Sequence, residues 1–295
     1  MTGDLAATAL TEFRVSARES RTPRESRSGS VVRHVSTSGG QQAVLKVTPA
    51  GLGRHALSAA RRELRFYRGL SSCAPVRTPR LLEWMDTDDG LAVLLEDAGE
   101  PRHVSAWAPD RWVDLGHSLA MLHSTPVPTS DWHRPDALRD ALAAPDLDGI
   151  LSFWAPTLPD VTDLIDRRDD LSDRMAALPT VFIHGDCHPG NILHSDGALV
   201  FCDWQSCGIG RPTSDLAFLN VRGTPDGVTT PPALIETYLR YRRRPERQAL
   251  RRALLAEELA ILVFVWPPYA GLNTPSGIAR IRRRAGELAK QWRRA

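Results

Sequence analysis

Between Val181 and Trp204 the chain reads VFIHGDCHPGNILHSDGALVFCDW, and three of its side chains are spaced for phosphoryl-transfer chemistry. Asp186 precedes Asn191 by five residues, and Asp203 follows twelve residues later. A carboxylate in the first position can orient a hydroxyl and accept its proton as a P–O bond forms. An amide and a second carboxylate offer oxygen ligands from two segments, as Mg²⁺ held between protein and nucleotide phosphates requires. Each residue also has a plainer reading. Asp186 can cap a helix, Asn191 can belong to the turn after Pro189-Gly190, and Asp203 can end a strand. The three plain readings do not explain the joint spacing, which favours catalysis.

A fourth residue stands out by composition. Of 37 basic residues only Lys46 and Lys290 are lysines, and Lys46 sits inside the apolar run Ala43-Val44-Leu45-Lys46-Val47. A compact ammonium there can serve as a point charge for phosphate, where a planar guanidinium would not fit equivalently. Its expected carboxylate partner is Glu63. The plainer reading of Glu63 is a solvated helix face, since Arg61, Arg62, Arg65 and Arg68 surround it.

These residues need elements to hold them. Residues 13–100 read mostly as strands with one helix: Phe13–Ser16, Val31–Val35, Ala43–Val47, Leu81–Met85 and Leu91–Leu95, the last two joined by the hairpin turn Thr87-Asp88-Asp89-Gly90. The helix is Ser58–Leu70, with Leu64, Tyr67 and Leu70 along one face. After Gly99-Glu100-Pro101 the pattern becomes helical. Arg111–His123 carries Val113, Leu115, Leu119 and Leu122 near helical spacing, and Asp160–Leu178, Leu234–Arg242 and Glu246–Val265 continue it. The expected organisation is a lobe over residues 1–99 and a second over 100–295. Residues 18–30, rich in Ser and Arg, are expected to be mobile without ligand.

Bulk properties bound the function. At 295 residues, 42% hydrophobic and 24% charged, the chain suits one large two-lobed domain or two modest ones. A net charge of +2 gives no basis for nucleic-acid binding. The four cysteines form no CxxC pair, which suits a reducing cytoplasm, and with His188 they match no common zinc spacing. The N-terminus has no basic region ahead of an apolar core, and the uncharged stretch Leu259–Ala279 is broken by Pro267-Pro268, so neither a signal peptide nor a membrane span is expected.

His184-Gly185-Asp186-Cys187-His188-Pro189-Gly190-Asn191 and Asp203-Trp204 resemble the two signature segments of the aminoglycoside phosphotransferase and choline kinase group. That resemblance implies an α+β, two-lobed protein-kinase-like fold, with a small antiparallel-sheet N-terminal lobe and a mainly helical C-terminal lobe. It implies ATP, with GTP as an alternative, and Mg²⁺. It makes Asp186 the catalytic base and Asn191 and Asp203 the metal ligands, with Lys46 and Glu63 as the strand–helix pair at the phosphates. Leu94-Leu95-Glu96-Asp97-Ala98 looks like the hinge, where the backbone of Glu96 and Ala98 would meet the adenine. Asp215 stands where the group carries a structural aspartate, and His123 reads as a packed histidine supporting the catalytic loop. The resemblance covers about residues 13–270.

There are departures. No G-x-G-x-x-G loop is present, and its equivalent, Ser26-Arg27-Ser28-Gly29-Ser30, offers only Gly29. No activation-loop pattern follows Asp203-Trp204-Gln205, which argues against a protein acceptor. Residues 131–173 hold eleven aspartates against four arginines, a net of −7, and residues 221–295 hold fifteen basic against six acidic residues, a net of +9. Both runs also read as solvated helix faces. Trp266 and Tyr269 beside Pro267-Pro268 can line an apolar pocket or pack between elements. The expectation is a cytoplasmic monomer or homodimer acting on a small hydroxylated molecule, an antibiotic or related natural product. A metabolite kinase of choline, homoserine or sugar type and a non-catalytic kinase-like module are the alternatives.

Overall fold

A computed structural model describes residues 5–18, 24–25, 29–126, 132–242 and 247–294. The chain separates into two compact units. One comprises Met1–Pro101 with Ile192–Cys207, and the other Arg102–Asn191 with Gly208–Ala295.

The first unit is built on an antiparallel sheet. Its strands are β1 (Val15–Ala17), β2 (Arg24–Glu25), β3 (Val31–Thr37), β4 (Gln42–Pro49), β5 (Leu81–Thr87) and β6 (Gly90–Glu96), in the order β1-β3-β4-β6-β5 with β2 beside β3. Alternation along β4 sends Ala43, Leu45 and Val47 to one face, where they join Val35, Ala92 and Leu94. Helix α1 (Leu5–Glu12) closes that face with Leu5, Ala6 and Ala9. The opposite alternation turns Lys46, paired with Val93, towards helix α2 (Arg54–Gly69). Strands β7 (Glu100–Pro101), β9 (Ile192–Ser195) and β10 (Ala198–Phe201) form a small second sheet.

The second unit contains α3 (Pro109–Leu122), α4 (Ala137–Ala143), α5 (Leu147–Trp154), α6 (Val161–Asp166), α7 (Arg168–Ala176), α8 (Pro212–Gly223), α9 (Pro232–Tyr241), α10 (Arg247–Ala260) and α11 (Pro275–Trp292). Its two strands, β8 (Val181–Ile183) and β11 (Gly208–Gly210), pair antiparallel. Helix α10 is buried on most of its last two turns, which include the adjacent acids Glu257 and Glu258. Glu258 takes Asn220 Nδ2 at 3.0 Å and Arg284 Nε at 2.6 Å, so this internal charge is paired.

Several local expectations change. The chain before β1 folds as α1 rather than as strand from Phe13. The helix expected over Asp160–Leu178 divides at Arg167. Arg167 takes φ −101° and ψ 23°, outside the helical range, and its N–H closes the first piece on Asp163 O, while Val161, Leu164 and Ile165 before the break and Leu171 and Met175 after it all reach the core. Regular α-helix ends at Ala260, and Ile261–Val265 continues as a π-helix before Pro267. On α3, Val113 is exposed while Leu115, Leu119 and Leu122 are buried. On α2, Phe66 is buried and Leu70 only half-buried.

Candidate active site

In the first unit Lys46 Nζ lies 2.7 Å from Glu63 Oε2 and 2.9 Å from Asp203 Oδ1. Lys46 is 7% exposed and Glu63 2%. Burial alone would lower the lysine's pKa, but the carboxylates of Asp203 and Glu63 outweigh it and hold it above its ordinary value. Burial, and then the nearby Asp203, push Glu63 up, and Lys46 pulls it back. The ammonium is therefore a fixed positive charge shared by two acids.

Asp203 has left-handed backbone, φ 62° and ψ 66°, a conformation that Asp tolerates better than most residues. The next residue anchors it. Trp204 is fully buried, its ring stacked on Phe66 with centroids 3.8 Å apart and planes at 10°. Its indole N–H donates to Phe201 O at 3.0 Å, and its backbone N–H donates to Glu63 Oε1 at 3.3 Å. Arg62 Nη1 donates to Gln205 O at 3.0 Å. Helix α2 thus fixes both ends of the Lys46–Asp203 pair. Replacing Trp204 by Ala is expected to cost about 3–5 kcal/mol, read as a lower urea midpoint. Trp204→Phe keeps a stacked ring, loses the indole bond, and is expected to cost less.

The segment expected to meet the adenine leaves β6 in a bonded frame. Glu96 N–H donates to Arg80 O at 2.9 Å, and its carboxylate accepts from Arg80 Nε at 3.1 Å. Asp97 N–H donates to Gln42 O at 3.3 Å, and its carboxylate lies 3.3 Å from His34 Nδ1. Ala98 is buried. Of the expected phosphate-covering loop, Ser26–Ser28 lie outside the described residues. Ser30 is buried with its Oγ 2.8 Å from Thr48 Oγ1.

In the second unit, residues 184–191 follow β8. Gly185 has φ 80°, which a side-chain-bearing residue adopts only with strain, and it turns the chain towards Asp186. The turn is pinned from α8. Asp215 Oδ1 accepts from Gly185 N–H at 2.7 Å, and its Oδ2 accepts from His184 N–H at 2.9 Å and from His123 Nε2 at 3.1 Å. His123 Nδ1 is 2.9 Å from the Tyr238 hydroxyl. Burial would raise Asp215, but His123 and the loop donors hold it below the ordinary carboxylate value. Asn191 Nδ2 donates to Asp186 O and to Asp186 Oδ2, both at 3.0 Å. The amide nitrogen is committed to positioning Asp186, so the carbonyl oxygen is the atom of Asn191 suited to a cation.

Of the residues expected from sequence, the fold brings Lys46, Glu63 and Asp203 together in one unit and Asp186 with Asn191 in the other. Phe66, Arg80 and Tyr238 were not expected, and no sequence signal marks them, because each acts through a long-range contact. Trp266 packs at 5.4 Å from Phe153 inside the helical core, whereas Tyr269 is half-exposed.

An antiparallel sheet bearing a lysine–glutamate pair, with a histidine–glycine–aspartate turn on a helical unit, defines a kinase-like phosphotransferase. The family model described as "Phosphotransferase enzyme family" matches residues 21–266, and the chain belongs to that family. It is therefore a phosphotransferase enzyme. No curated protein matches the chain significantly. Among solved structures, the chain is similar to the amicoumacin kinase hAmiN in complex with AMP-PNP, Ca²⁺ and Ami (14% identity, 97% of this chain and 93% of that one covered, TM-score 0.65). It is also similar to the macrolide 2′-phosphotransferase MphH from Brachybacterium faecium (19%, 97% and 96%, 0.62). A third is an ethanolamine kinase of Plasmodium vivax (14%, 94% and 82%, 0.61). At these identities the similarity concerns the fold.

Proposed function

We propose that the chain is an ATP-dependent O-phosphotransferase acting on a hydroxyl of an antibiotic or related natural product, in resistance or self-protection. The observation that carries the reading is the buried Lys46 ammonium shared by Glu63 and Asp203, a charge of the kind that holds nucleotide phosphates. The nucleotide base is assigned to the hinge at Glu96 and Ala98. Asn191 and Asp203 carry the hard oxygen donors that Mg²⁺ takes, and the ion would neutralise charge on the phosphates. Asp186, held by Asn191, orients the acceptor hydroxyl. The hydroxyl oxygen bonds to the γ-phosphorus as the bond to ADP breaks; ADP leaves with the electron pair, and the hydroxyl proton passes to Asp186. Four cysteines without a CxxC pair support a cytoplasmic setting, and no helix among the described residues is long and apolar enough to cross a membrane. The enzyme is read as a monomer or homodimer.

The similarity to an ethanolamine kinase favours a second reading, a metabolite kinase. A coupled ADP-release screen with ATP and GTP against antibiotics and metabolite alcohols separates the two by which acceptors stimulate release. Stimulation by no acceptor in either panel counts against both.

Asp203→Ala is expected to abolish the Mg²⁺-dependent part of nucleotide binding in titration calorimetry. Equal affinity with and without the substitution refutes the metal role.

A further inference from the structure

The candidate base has a second neighbour that the reading above does not use. His188 Nε2 stands 3.9 Å from Asp186 Oδ1, on the carboxylate oxygen opposite the one Asn191 holds. Its other ring nitrogen, Nδ1, accepts from Gly190 N–H at 3.1 Å. An imidazole that accepts at Nδ1 carries its proton on Nε2, so a donor faces Asp186. The site is shaped for this ring. A Cβ on Gly190 would come within 2.8 Å of His188 Cε1 and 3.0 Å of Nδ1, so a side chain there would push the imidazole away. His188 O in turn accepts from Asn191 N–H at 2.8 Å, which fixes the turn carrying both residues. The His188 side chain is only 15% exposed, and its ring lies 6.2 Å from that of Phe218.

We propose that His188 is a positioning residue for the reaction: its Nε2–H donor and the Asn191 amide grip the two oxygens of Asp186 from opposite sides. The carboxylate then presents a fixed lone pair to the incoming hydroxyl instead of rotating about its last bond. At 3.9 Å the contact is longer than a direct hydrogen bond, as such bonds in catalytic loops often are until reactants bind. The neutral ring suffices, and no proton leaves it. The proposal rests on Asp186 being the base.

Intrinsic ATP hydrolysis, with water as acceptor, tests it without a known substrate. His188→Gln restores a nitrogen donor near the Nε2 position and loses the Gly190 contact. His188→Asn offers an oxygen near the Nδ1 position, keeping the Gly190 contact, and loses the donor to Asp186. His188→Phe keeps ring bulk alone. The expected result is a kcat about tenfold lower in the Asn and Phe variants, with KM for ATP within about twofold and Tm close to that of the parent, and recovery of most of the kcat in the Gln variant. Recovery by Asn or Phe, or no recovery by Gln, overturns the proposal and leaves His188 a loop residue. Asp186→Asn run alongside separates the two failures. If that variant hydrolyses ATP normally, the assignment of Asp186 fails. If it is inactive while His188→Phe is not, only the role of His188 fails.

Discussion

The Asp186→Asn enzyme is expected to fold, to bind nucleotide as the parent does, and to turn over at least ~10²-fold more slowly, the low end for a positioned general base. The amide has the size of the carboxylate, and its oxygen can still accept from Asn191 Nδ2, which reaches Asp186 Oδ2 at 3.0 Å. The turn itself is held by Asp215 through the backbone of His184 and Gly185, not by the side chain of Asp186. What the substitution removes is a basic oxygen, so the loss should fall on kcat in the ADP-release assay and leave nucleotide affinity in place. Near-normal turnover would sink the assignment.

The second large effect is on stability. Lys46→Met removes the cation between Glu63 and Asp203 and leaves an almost wholly buried carboxylate without its partner. Breaking such a pair costs about 3–5 kcal/mol. A lower urea midpoint at neutral pH is expected, part of which should return when Glu63→Gln is added, because the double variant no longer buries an unpaired charge. No recovery would show that the loss came from elsewhere in α2. The pH dependence has a definite sign. The folded-state pKa of Lys46 is raised above its ordinary 10.5, so the pair stabilises fully below that value and is lost as the pH rises through the raised one. Parent and Lys46→Met should therefore keep a constant gap across neutral pH and converge only in strong alkali.

Much of the first unit was legible because its signals are local. The Asp89-Gly90 turn joins β5 to β6, and period-two alternation put Lys46 on the face opposite Leu45 and Val47. The single strand lysine pointed to the anionic partners that the fold supplies. Helix α1 was not legible, since the apolar spacing of Leu5, Ala6 and Ala9 is short and acquires meaning only against the sheet. In the second unit the break at Arg167 was not legible, since Leu164, Leu171 and Met175 keep helical spacing across it. Asn191 was read for its oxygen, and its nitrogen's contact with Asp186 depends on the shape of the turn between them. Part of the basic run near the C-terminus clamps inward: Arg280 reaches Pro225 O, Arg282 reaches Phe153 O, and Arg284 reaches Glu258. Composition alone cannot separate such clamps from an outward-facing field.

The scarcity of lysine has a chemical consequence. Only two side-chain amines exist in the protein, one held protonated between two acids and the other, Lys290, exposed on α11. Lys46 is buried and engaged by both carboxylates whereas Lys290 is open to solvent, so acylating reagents should modify Lys290 first. Lys46 becomes a native reporter: its acylation registers release of the ammonium from Glu63 and Asp203, with Lys290 as the reference within the same molecule.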